Sequence, residues 1–166
     1  MLSLMFLVPL AGHALAGPED FKNGPLIEAF GPAASVPGAS VEAGTVFKVA
    51  FDVADAADPG AINRRLESAA RFLNMHVAVG VPAENIEIAI IVHGPAALDL
   101  VRSDTNANAD LIAALIEAGV TIELCGQTAA YRDIVAEDLL PGVTLSLSAM
   151  TTHALLQQAG YTLNPF

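Results

Sequence analysis

The chain has one cysteine, Cys125, in Leu124-Cys125-Gly126-Gln127-Thr128, where an apolar run gives way to glycine and polar residues. The run Val120 to Leu124 reads as a buried strand, and the residues after it read as the start of a helix. A thiol at such a junction meets unpaired backbone N–H groups and the positive end of a helix dipole. Both favour the thiolate, the form that acts as a nucleophile. The opposite reading is a small buried hydrophobe, the commoner fate of a free cysteine. On the first reading Cys125 is an accessible, activated thiol that can carry sulfur or form a mixed disulfide.

Three histidines deserve comparison with it. His93, in Val92-His93-Gly94-Pro95, ends a second apolar run. It can orient or protonate the thiol or bind a ligand, or it can be satisfied by backbone groups. His153 falls near the start of a later helix, where a histidine can simply face solvent. His76 falls near the end of the first long helix, where an imidazole suits the dipole and the reading is structural. Cys125, His93 and His153 are ligand types that suit zinc or copper. Nothing in their spacing is diagnostic, so no metal and no cofactor are expected.

Alternating strands and helices must position these side chains. Val46 to Phe51 and Ile86 to Val92 read as strands, the second (IEIAIIV) almost continuously apolar, as in a strand covered on both faces. Asp58-Pro59 supplies an N-cap and a first-turn proline for a helix carrying Ile62, Leu66, Ala69, Leu73 and Val77, with Gly80 past its end. A short Ala/Leu helix through about Val101, a polar loop from Arg102 to Asn108 and a helix from Asp110 to Ala118 follow. After Val120 to Leu124, a helix is predicted from the Gly126-Gln127-Thr128 turn to about Leu139. A strand from Val143 to Ser148, a helix capped by Thr151 or Thr152 and ending at Gly160, and a short strand near Tyr161 to Leu163 complete the chain. This order predicts a three-layer α/β/α domain on a mainly parallel sheet of four or five strands. In such sheets ligands collect beyond the carboxyl ends of the strands. That edge would carry His93, Cys125 and His153, with Gln127, Thr128, Thr151 and Thr152.

Bulk properties narrow the function classes. The net charge of −11 repels phosphates, which disfavours nucleic acid and anionic membrane surfaces as partners. One cysteine excludes an intrachain disulfide and any Cys-x-x-Cys redox motif. The glycine-rich dinucleotide and P-loop signatures are absent, as is the Gly-x-Ser-x-Gly elbow. Residues 1–16, MLSLMFLVPLAGHALA, have the apolar run and small-residue cleavage site of a secretory signal peptide. No Lys or Arg precedes the run. The mature chain would be periplasmic or secreted, without a membrane anchor after processing. Residues 17–44, rich in Gly and Pro, read as an extended arm, and residues 45–166 as the domain.

Phe47-Lys48-Val49-Ala50-Phe51-Asp52, Val92-His93-Gly94, Ala118-Gly119-Val120 and above all Cys125-Gly126-Gln127 resemble the DsrE/DsrF-like family, particularly its exported members. The resemblance runs over about residues 45 to 163. It implies a small α/β protein that assembles as a homo-oligomer, a trimer or hexamer, and passes sulfur along as a cysteine persulfide. It makes Cys125 the sulfur-carrying residue, with His93 beside it, in a sulfurtransferase-like relay between a donor and an acceptor protein. Gly94, Gly126, Gln127 and Thr128, with Arg132 in the following helix, would then line the ligand site. The alternative is a non-enzymatic oligomeric module that binds a small ligand or metal in the strand-end pocket around Cys125 and His93. Export and the lack of a second cysteine favour that alternative.

Overall fold

Five strands, β1 (Phe47–Val53), β2 (Ile86–Val92), β3 (Thr121–Cys125), β4 (Thr144–Ser146) and β5 (Thr162–Asn164), make one sheet in the order β4-β3-β2-β1-β5. Every ladder is parallel. Helices α1 (Arg64–Ala78), α2 (Ala109–Glu117), α3 (Gly126–Tyr131) and α4 (Ala149–Gln158) connect the strands. The computed structural model describes residues 17–165, so the leader expected over residues 1–16 lies outside the described residues. The α/β class and the mainly parallel sheet agree with the reading of the sequence. None of the described helices is long and apolar enough to cross a membrane.

Side chains alternate across the sheet, and its two faces differ. One face presents Val49, Phe51, Val53, Ile86, Ile88, Ile90, Val92, Ile122 and Leu124 to a continuous core. Leu66, Ala69, Ala70 and Leu73 of α1, with Leu111, Ile112 and Leu115 of α2, close that core. The segment from Gly94 to Leu100, a 3-10 helix, adds Ala96, Ala97 and Leu100. The other face carries a small cluster of Ala50, Ala89, Ile91, Cys125 and Ala149, against which Leu156 and Tyr161 pack. Its cover is α4.

Residues 17–44 run along α1 and close one end of the larger core with the buried Ile27. Asn74 holds them: its Oδ1 accepts from the N–H groups of Leu26 and Ile27 at 3.1 and 2.8 Å. Its Nδ2 donates to the carbonyls of Ile27, Phe30 and Gly31. His76, on the same helix, is buried among Phe47 and Phe72 and bonds the Phe72 carbonyl through Nδ1 at 2.7 Å.

Three boundaries differ most from the sequence reading. The first helix begins at Arg64, capped by Asn63, whose side chain accepts from the Arg65 N–H. Asp58 and Pro59 belong instead to a turn closed by Ala61 N–H to the Asp58 carbonyl, with Gly60 at φ 76°. Helix α3 stops at Tyr131, well short of Leu139, because Asp133 takes a left-handed φ of 52° and turns Ile134 toward the core. The last helix is capped by Ser148, not by Thr151 or Thr152: the Ser148 hydroxyl accepts from the Thr151 N–H at 3.0 Å.

Candidate functional site

The carboxyl ends of β1, β2 and β3 converge where α3 and α4 begin. Asp52 is paired with Ile91, and Ile91 with Glu123, across three neighbouring strands. The register runs to Val92 and Leu124, and His93 and Cys125 are the residues that follow them. Helix α4 brings His153 over this edge. Asp52, His93, Cys125 and His153, with Gln127, Thr128, Ser148, Ala149 and Met150, line a cavity of about 260 Å³.

Cys125 is the N-cap residue of α3 and is 6% exposed. The thiol is therefore less open than the sequence suggests, and the cavity is its route to solvent. Burial raises its pKa, but four hydrogen-bond donors more than offset that: the N–H groups of Ala149, Thr128 and Gln127 and the Thr128 hydroxyl. The result is a thiol held below its ordinary value. These N–H groups belong to the first turns of α3 and α4, where backbone donors lack an intrahelical partner. The Thr128 hydroxyl is itself oriented. Its oxygen accepts from the Gly94 N–H at 3.1 Å.

Above the thiol, Asp52 accepts from both histidines. His153 Nε2 lies 2.7 Å from Asp52 Oδ1, and His93 Nε2 lies 3.2 Å from Oδ2. Burial raises the Asp52 pKa, and the hydrogen bonds and charges of His153 and His93 outweigh it, so the carboxyl sits below its usual value. His153, placed at this edge by the sequence with a solvent-facing ring as the alternative, has a side chain only 17% exposed and lines the cavity. Among the described residues no group of three or more His, Cys, Asp or Glu side chains is arranged to hold a metal ion.

A family model, the DsrE/DsrF-like family, matches residues 48–165. The chain belongs to the DsrE/DsrF-like family. No curated protein matches it at a significant level. Among solved structures, it is similar to a protein of unknown function, MTH1491, from Methanobacterium thermoautotrophicum, at 20% identity and a TM-score of 0.59, covering 72% of this chain and 99% of that one. It is also similar to the YchN protein from E. coli, at 18% identity and a TM-score of 0.50, covering 72% of this chain and 100% of that one. At such identities these likenesses bear on the fold alone.

The two glycines singled out in this DsrE/DsrF-like chain are steric requirements. A Cβ on Gly126 would overlap the carbonyl oxygen of Ser146, at the close approach of α3 to β4. Gly94 has φ 58°, which favours glycine, and a Cβ there would lie 3.2 Å from the Ala54 carbonyl oxygen. Gln127 is exposed at the rim and donates to the Leu147 carbonyl at 3.3 Å. Arg132 does not line the cavity. It is the C-cap residue of α3, and its Nε is buried without a hydrogen-bond partner. Sequence reasoning gave Asp52 no role at the site, although a carboxylate next to last in a mostly apolar strand was a usable signal. Ser148 and Met150 carried no signal of their own.

Proposed function

We propose that this protein is a sulfur carrier in which Cys125 accepts sulfane sulfur as a persulfide and hands it to an acceptor. The observation that supports it most is the place of Cys125 at the end of a small cavity, where the neighbouring N–H groups and the Thr128 hydroxyl hold the thiol below its ordinary pKa. Membership of a family associated with sulfur relay supports the same reading. In the reaction, the Cys125 thiolate attacks the terminal sulfur of a persulfide R–S–SH, the sulfur–sulfur bond of the donor breaks, and the donor leaves as a thiol. Sulfur changes hands between two thiols, so no external oxidant is needed.

The working form we propose is exported and homo-oligomeric, a trimer or hexamer. The exposed Leu147, Met150 and Leu155 near the site support an assembly that covers apolar surface. The test is mass spectrometry of native protein after brief exposure to glutathione persulfide. One added sulfur in the wild type and none in Cys125→Ser is the expected result. A bare thiol throughout, alkylated only after denaturation, would refute the proposal and leave Cys125 as the lining of a binding pocket.

A further inference from the structure

Three titratable side chains surround Cys125 without taking part in its cradle: Asp52 from β1, His93 from the end of β2 and His153 from α4. From β3 comes, besides Cys125, only Glu123 one pleat back, whose Oε2 accepts from the Thr152 hydroxyl at 3.1 Å. Lys48 and Glu87 pair with each other further back on the same face. No titratable side chain of α3 lines the cavity.

An ionised carboxylate only accepts hydrogen bonds, so both histidines must present Nε2 as N–H to Asp52. That fixes the tautomer: in each neutral ring Nδ1 is the bare nitrogen. Among the described residues neither Nδ1 has a hydrogen-bond partner. Both rings line the cavity that holds the nucleophile, and each carries a proton acceptor of fixed identity. His93 and Cys125 follow directly on the paired Val92 and Leu124 and line the same cavity. His153 lies four residues after Ala149 and so on the same face of α4, and Ala149 packs in the same cluster as Cys125.

We propose that His93 and His153, positioned by Asp52, carry the proton of sulfur transfer at Cys125, with a small hydropersulfide as donor. This rests on the sulfur-carrier reading. Attack of the Cys125 thiolate on the terminal sulfur of R–S–SH forms the Cys125–sulfur bond and breaks the donor's sulfur–sulfur bond, whose electron pair leaves on R–S⁻. The new Cys125–S–SH gives its proton to a bare Nδ1. The same nitrogen then gives it to R–S⁻, which departs as R–SH and leaves an anionic persulfide on Cys125. Protons and electrons balance without another reactant. A cavity of about 260 Å³ admits the reacting end of a small thiol. Asp52 is a positioning residue, and the two histidines are the catalytic ones.

The test compares sulfur loading from glutathione persulfide with alkylation by iodoacetamide, which needs the thiolate but no proton delivery to a sulfur leaving group. The readout is the pH profile of each in the wild type, His93→Gln, His153→Gln, the double variant and Asp52→Asn. Loading by the double variant is expected to fall about 100-fold, a common size for general acid–base catalysis. That loss should exceed any change in alkylation by at least about tenfold. Relative to alkylation, wild-type loading should fall off on the acidic side of its profile, where the bare nitrogen is no longer there to accept, and the double variant should lack that extra decline. Asp52→Asn, which keeps one acceptor oxygen for two rings, should fall between. Loading and alkylation that drop in parallel, or a double variant with the wild-type profile, would overturn the proposal alone. A wild type that alkylates readily but takes no sulfur would remove the sulfur-carrier reading as well.

Discussion

The two faces of the sheet are made by the same strands yet are built for different ends. On one, Val49, Phe51 and Val53 of β1 meet Ile86, Ile88, Ile90 and Val92 of β2 and Ile122 and Leu124 of β3, all buried under two helices, a 3-10 segment and the arm. On the other, the alternate positions of those strands are Lys48, Ala50 and Asp52, then Glu87, Ala89 and Ile91, then Glu123 and Cys125. Small and ionisable side chains there leave room under a single helix, and each charge is answered locally: Lys48 by Glu87 at 3.2 Å, Glu123 by Thr152, Asp52 by two histidines. Large branched side chains filling one face supply the area removed from water. The thinner face can therefore hold a cavity and ionisable groups. Stability and chemistry divide between the two faces of one sheet.

That division can be broken by substitutions on either side. Leu73→Ala, at a site 1% exposed, should have the largest effect, a loss of about 2–5 kcal/mol in denaturant unfolding. The pH midpoint of Cys125 alkylation should stay where it is. A shifted midpoint in a still-folded variant would show that the two faces are coupled.

Asn74→Ala comes next. It strands the N–H groups of Leu26 and Ile27 and the carbonyls of Phe30 and Gly31, which should cost about 1–3 kcal/mol. Hydrogen exchange should rise first at the amides of Leu26 and Ile27. Uniform acceleration across the sheet instead would mean that the arm is part of the fold's central cooperative unit.

Thr128→Val should have the smallest effect on stability and the clearest effect on the site. Removing the hydroxyl donor should move the Cys125 alkylation midpoint upward, and Thr128→Ser should restore it. The sign extends to stability. A thiol held below its unfolded value contributes stability that is fully present above that value and is lost as pH falls through the folded one. The wild-type advantage over Thr128→Val should therefore grow as pH rises through the alkaline range. A gap that is flat with pH would mean that the hydroxyl does not act through the thiolate.

Much of this architecture was legible. Ile86–Val92 is the strand that its apolar run predicts, and Cys125 stands at the end of β3 ahead of a helix. The parallel sheet followed from strand–helix alternation. The misplaced boundaries have a common cause, because several residues could each cap and only one fits the packing. Asn63 caps α1 because Asp99 and the Asp55 carbonyl hold its amide in place, and Asp58 lacks such support. Ser148 wins over Thr151 because Thr152 is turned to Glu123 and Thr151 serves as the capped residue.

The sequence by itself determined the α/β class, the one available thiol and its place at a strand end, since these follow from local periodicity and from a single cysteine. Only the tertiary structure decided that the thiol sits buried beside a small cavity, that its donors come from two separate helices, and that His153 reaches Asp52 across 101 positions of chain. Those contacts join residues far apart in sequence. No local pattern encodes them, because they arise only when packing of the apolar face fixes where every strand end and helix start must lie.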